Sequence, residues 1–195
     1  MSTKLFGNAS NIAKKWTEII CCAFEKGVYD HNVYSDTYKK IYGLPPKGGR
    51  LLDFSNFYQI SLVSDNLEDK TASALMDYIL HKKTGIYYIY DRQLSILPEV
   101  FKSLPEVFKS KEASKYIAAI ELLSEYKNPG CKEKLMFVVE WLNTQKEGEG
   151  YWDMGTTVKD GVRFPLSNSW RKKELRVKDC TYRISRLMKN LVIDK

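Results

Sequence analysis

No apolar run in these 195 residues approaches the roughly 20 needed for a helix to cross a bilayer, so no membrane span is expected. Met1 to Ser10 also lack the apolar centre of a signal peptide, which makes the cytoplasm the expected location. Cysteine is sparse. The four residues, with Cys21 and Cys22 adjacent, give neither a Cys-x-x-Cys metal pair nor the spacing of a disulfide framework, so buried reduced thiols are expected. Histidine is scarcer still, at His31 and His81 alone, and no metal or cofactor is expected. Strand-forming runs are also rare. Gly85-Ile86-Tyr87-Tyr88-Ile89-Tyr90 reads as β by propensity, but no second β-rich run offers it a partner, and a lone strand is unstable.

What is present describes a globular chain. An apolar fraction of 44% with 28% charged residues excludes wholesale disorder, and the length suffices for one domain, taken here as residues 1–195, with a sizeable core. The net charge of +7 is unevenly placed. From Trp170 to Lys195 nine Lys or Arg face three carboxylates, a balance of +6, and the other 169 residues are near neutral. One basic C-terminal element can hold an anion, but a duplex footprint would want a broader stripe, so nucleic acid is not the expected partner.

Apolar residues at steps of three and four predict helices in order along the chain. Asn11 to Lys26 carries Ile12, Trp16, Ile19, Ile20, Ala23 and Phe24 on one stripe, and Gly27 stops it. Tyr29 to Asn32 reads as a loop, Tyr38 to Tyr42 as a short helical turn, and Leu44 to Gly49 as a connection that its prolines keep from being helical. Asp53 to Ser64 reads as a helix buried on most sides. Leu67 to Lys82 reads as an amphipathic one, with Asp65 or Asn66 as N-cap, and the two form an αα-hairpin. Lys111 to Lys127 and Glu133 to Gln145 predict another hairpin across Asn128-Pro129-Gly130. Between the hairpins Leu97-Pro-Glu-Val-Phe-Lys-Ser103 recurs letter for letter as Leu104 to Ser110. A proline in each copy forbids a continuous coiled coil, so the repeat reads as a duplication in an exposed loop.

The last helix, Lys172 to Leu191, packs Val177, Cys180, Ile184, Leu187 and Leu191 on one side. Lys172, Arg176, Asp179, Arg183 and Arg186 keep the same steps beside them. Two readings stand. The row is a solvated face with ion pairs among Arg176, Asp179 and Arg183, or it is an anion site built on the bidentate fork of arginine.

The chain is organised around Trp141 to Trp152, a helix end followed by Gln145, a glycine turn and the pair Tyr151-Trp152. Shorter versions surround Gly85 and Gly27, so the three glycines, 65 and 58 residues apart, suggest three units of about sixty residues. Repeated αα-hairpins with Gln145, Gly150 and Trp152 in this arrangement resemble the α/α toroid of terpenoid cyclases and protein prenyltransferase β subunits. The stretch is similar to the Gln–Trp motif of squalene-hopene cyclases. Gly155 to Arg183 also resembles bacterial prenyltransferase-like proteins. The resemblance implies an all-α fold of repeated αα-hairpins forming a partial toroid or open arc, in which Gln145, Gly150 and Trp152 act as a structural clamp. Three units are half of a six-hairpin ring, so the expectation is either an open arc or closure by self-association.

Two departures weigh on the activity the resemblance implies. The Asp-x-Asp-Asp acid of the cyclases is missing. Neither histidine joins Asp179-Cys180 in a zinc set, since adjacent helical residues point about 100° apart. The expectation is therefore a non-catalytic module that binds an isoprenoid-like or peptide ligand, with Tyr87, Tyr88, Tyr90, Tyr151, Trp152 and Trp170 stacking and Arg171, Arg176 or Arg183 holding an anionic end. The alternatives are an enzyme acting on isoprenoid diphosphates and, more weakly, nucleic-acid binding by the basic last helix.

Overall fold

The computed structural model describes residues 2–46, 57–81, 88–89, 92–93, 96–103, 108–111, 113–158 and 170–192. These are overwhelmingly helical: α1 (Ser2–Ala23), α2 (His31–Tyr42), α3 (Phe57–Leu62), α4 (Asp69–His81), α5 (Pro98–Ser103), α6 (Ala113–Leu123), α7 (Pro129–Lys134), α8 (Met136–Thr144) and α9 (Lys173–Leu191). Among them no helix is long and apolar enough to cross a membrane. A small hairpin interrupts the helices. β1 (Tyr88–Ile89) pairs antiparallel with β2 (Arg92–Gln93), Tyr88 opposite Gln93, so the strand expected to lack a partner finds one within four residues.

In α1 the stripe Trp16, Ile19, Ile20, Ala23 and Phe24 is buried as its spacing predicts, while Ile12 stays 47% exposed. The helix ends at Ala23, four residues before the expected stop, and Gly27, with φ +75, closes the turn that follows, its N–H donating to the Phe24 carbonyl. The next segment departs from expectation. Asp30 is not a loop residue but an N-cap, its carboxylate accepting the amides of Asn32 and Val33 at 3.0 and 3.2 Å. That cap starts α2 seven residues before the predicted turn at Tyr38. Tyr34, Tyr38 and Tyr42 then fall on one face, and the Tyr38 and Tyr42 rings meet Trp16 at 5.9 and 6.3 Å. The pair α1 and α2 is a true antiparallel hairpin.

The other helices pair differently from the predicted hairpins. The principal contacts run from α3 to α6, from α4 to α7 and from α5 to α8, three helices apart each time, and α9 packs on α8. Tyr126, just after α6, fixes part of this register. Its buried hydroxyl donates to the Ile60 carbonyl in α3 at 2.7 Å, and burial holds its phenol well above the usual range. Neither predicted cap serves α4. The helix begins at Asp69, and the Asp65 carboxylate accepts Lys127 Nζ at 2.9 Å across the surface. Asn128-Pro129-Gly130 likewise opens a helix where it was read as a turn: Asn128 Oδ1 accepts the Cys131 amide at 3.0 Å, and Pro129 takes the first helical position, where its missing N–H costs nothing.

The duplicated heptads require the largest correction. The first copy is not loop but α5, with Pro98 as its first residue. Phe101 of the first copy and Phe108 of the second are both buried, Phe108 at 0% exposure. Both rings meet Trp141 of α8 edge-on, at 4.9 Å and 74° and at 5.8 Å and 77°. Equivalent positions of the two copies thus grip one indole. Both belong to the hydrophobic cluster that extends from Trp16 to Leu191.

Phe108→Ala is expected to cost about 3–5 kcal/mol, read from the midpoint of chemical denaturation. The double change with Phe101→Ala should cost less than the sum of the singles, since both rings share Trp141. An unchanged midpoint for Phe108→Ala would return the second copy to the surface.

Candidate functional site

The chemistry-bearing residues concentrate on α9 and the segment Tyr151–Gly155 that crosses it. The stripe predicted for α9 is realised, with Cys180, Ile184, Leu187 and Leu191 buried and Val177 half-buried. Burial pushes the Cys180 thiol up to about 11, and the Cys131 thiol likewise to about 11, so neither is a ready nucleophile at neutral pH. Cys21 and Cys22, also free, are half-buried on α1.

The row of cations divides into two sets. Arg176 is 6% exposed and forks onto Asp153, with Nε to Oδ1 at 2.6 Å and Nη2 to Oδ2 at 2.8 Å. Its remaining nitrogen, Nη1, donates to the Trp170 carbonyl at 2.9 Å. Asp153 also accepts the Gly155 amide at 2.8 Å, and the Arg176 hydrogen bonds, with that amide, hold its carboxyl below the usual range against the opposing effect of burial. Arg183 forks in the same way onto Glu121 of α6, at 2.5 and 2.6 Å. Asp179, expected to pair with both arginines, instead accepts the Trp170 indole N–H at 2.8 Å. Neither alternative drawn from the row describes these two arginines, because their carboxylates arrive from other elements.

The clamp stretch is similarly resolved. Gly150 has φ +86 and its amide donates to the Glu147 carbonyl at 2.7 Å, closing the turn. The Trp152 indole donates to the Leu142 carbonyl at 2.8 Å, satisfying a carbonyl at the end of α8. Lys146 Nζ lies 5.0 Å from the centre of that ring, in cation–π range. Gln145 spends its amide on the neighbouring Thr144 hydroxyl at 3.0 Å, within its own turn. Lys146, and not Gln145, is thus the residue that lies over the Trp152 ring. On α9, Thr181 Oγ1 accepts the Trp152 backbone amide at 3.1 Å.

Of the aromatic residues proposed to stack on a ligand, Trp152 and Trp170 are buried with their N–H groups engaged. Tyr151 is half-buried, and a hydrogen bond to Glu147 raises its phenol. Tyr87, Tyr90 and the Tyr88 side chain lie outside the described residues. Arg171 is exposed at the start of α9. Among the described residues no group of three or more His, Cys, Asp or Glu is placed to hold a metal ion.

The opposite face of α9 carries Lys178, Tyr182, Ser185, Arg186 and Lys189, all exposed, with Tyr182 at 56%. Lys178, Tyr182 and Arg186 are successive residues four apart, and Lys189 continues the line. Lys178, Arg186 and Lys189 form no ion pair among the described residues. The sequence places Arg186 in the cation row and counts Lys178 and Lys189 only within the basic C-terminal element, while Tyr182 belongs to neither. The available signal was the exposed tyrosine, an aromatic outside the apolar stripe. No protein-family model, curated protein or solved structure matches the chain.

Arg176→Gln should cost about 3–5 kcal/mol, because it leaves Asp153 buried and unpaired. Asp153 has a folded pKa below its unfolded value near 3.9. Its stabilising contribution is therefore complete above that value and is lost as pH falls through the lower folded pKa. Melting curves of the wild type between about pH 5 and pH 2 should show this loss. The same curves for Asp153→Asn should start from a lower stability and lack that component. A second pair of variants tests the indole tie. Trp152→Phe should cost about 1–3 kcal/mol by orphaning the Leu142 carbonyl, and Trp152→Ala about 3–5 kcal/mol. Equal losses would deny the hydrogen bond a role.

Proposed function

We propose that the protein is a non-catalytic binding module that holds an anionic partner on the outer face of α9. The observation that carries this reading is the division of the helix's cations. Arg176 and Arg183 are bound to Asp153 and Glu121. Lys178, Arg186 and Lys189 line one exposed face, with Arg171, Lys172 and Lys173 at its start. An isoprenoid or peptide ligand seated among Trp152, Trp170, Arg176 and Arg183 would have to displace hydrogen bonds that close the fold, whereas an anion on the outer face displaces only water. The ligand face of α9 is therefore the side opposite Arg176 and Arg183.

Exposed cations contribute to binding through desolvation of the ligand and release of its counterions, so the interaction must weaken steeply with salt. Inorganic polyphosphate is a suitable probe because it offers charge without bases or acyl chains. Isothermal titration with polyphosphate is expected to register binding that fades as salt rises from about 50 to about 300 mM. The variant Lys178→Gln, Arg186→Gln, Lys189→Gln should lose about tenfold or more of it while its stability stays within about 0.5 kcal/mol of the wild type. Undiminished binding by that variant would remove α9 as the site.

A further inference from the structure

We infer that the anionic partner is a single-stranded nucleic acid, with a base stacked on Tyr182 and the flanking phosphates held by Lys178, Arg186 and Lys189; this rests on the reading of α9 as an anion-binding face. Lys178 and Arg186 each lie one helical turn from Tyr182, about 6 Å along the axis, and the stripe to Lys189 is about 16 Å long. A ring 56% exposed with a cation on either side is the combination that stacks a base while the backbone is neutralised. The ring is not required by the core, since α9 packs through Cys180, Ile184, Leu187 and Leu191, all on the opposite side.

Other polyanions fit this face less well. A membrane surface needs an apolar face to insert, but that face of α9 is spent on the core, and the outer one offers only Tyr182 and, at its far end, Val192 at 44% exposure. An acidic protein segment would use the cations and leave the ring idle. A duplex keeps its bases stacked within itself, and a stripe one helix wide covers little of its surface. A single strand uses both features, because its bases are free to leave their own stack.

The test is fluorescence anisotropy on the full chain with a labelled oligothymidine of about 12 nucleotides. The comparison ligands are the matching duplex, polyglutamate and phosphatidylserine vesicles. Oligothymidine should bind most tightly, with affinity falling as roughly the second power of salt concentration, as three cations on a single strand require. Tyr182→Ala should weaken it about fivefold or more without changing the salt slope, and Tyr182→Phe should retain it. Tyr182→Ala binding as wild type, or duplex, polyglutamate or vesicles bound as tightly as oligothymidine, would overturn the single-strand inference and leave the anion-binding reading standing. Failure to bind any of these ligands and polyphosphate as well would overturn both.

Discussion

The constraint on which the C-terminal half depends is the buried fork between Arg176 and Asp153. Taking a guanidinium and a carboxylate out of water costs several kcal/mol per ion, and mutual attraction offsets this only when the remaining donors and lone pairs are also satisfied. Here they are. Asp153 accepts three N–H groups, two from Arg176 and one from Gly155, and the third Arg176 nitrogen is spent on the Trp170 carbonyl. The geometry that makes the pair tolerable also makes it specific, because Tyr151–Gly155 and Trp170 have to be in register with α9 before any of these bonds can close. Trp152 adjoins Asp153, so that register also delivers its indole to the end of α8. The end of α8, the segment Tyr151–Gly155, Trp170 and α9 are therefore tied to one another by these bonds.

A second grip of a different kind holds the middle of the chain. Phe101 and Phe108 close on Trp141 by edge contacts, which set ring orientation more tightly than aliphatic packing would. The indole N–H of Trp141 is buried without a hydrogen-bond partner among the described residues. A buried orphan donor costs about 1–3 kcal/mol, so the aromatic contacts must outweigh that cost for Trp to be suited to this position. The clamp at Trp152 has the reverse balance, with less aromatic contact among the described residues and a satisfied indole. The two tryptophans of the stretch that organises the chain do unlike work.

The helices were legible where a single apolar stripe decides the outcome. In α4 each of Ala72, Leu75, Met76, Ile79 and Leu80, nominated from spacing alone, is buried, and α9 follows its predicted stripe within a residue or so. Short-range polar chemistry was less legible. Asp30 and Asn128 each cap a helix, but the same residue types serve equally in turns, and only backbone geometry separates the two uses. Proline misled in the duplicated heptads because it forbids a helix interior yet suits a helix start, which is where Pro98 lies. The partners of Arg176 and Arg183 were not legible at all. They stand 23 and 62 residues away, and a row of charges on one helix face contains no information about carboxylates contributed by another element. The pairing of each helix with the third one after it was hidden for the same reason.

The division of cations on α9 has an electrostatic consequence that composition does not convey. A net charge of +7 spread over the whole surface would be screened at physiological salt, where exposed charges more than about 8 Å apart scarcely reinforce one another. On the outer face of α9, Arg186 and Lys189 lie within about 5 Å along the axis, inside one screening length, while Lys178 stands about 12 Å before Arg186 and continues the line beyond that length. Their field adds along a line and not over a disc. A small anion samples at most two of these charges, whereas a flexible chain of anions laid along the helix meets all three in succession. Arg176 and Arg183 contribute little to that field, since each has a carboxylate within hydrogen-bond distance. The ion pairs that close the fold thus also sharpen its surface, by confining the unpaired positive charge of α9 to the one side that faces solvent.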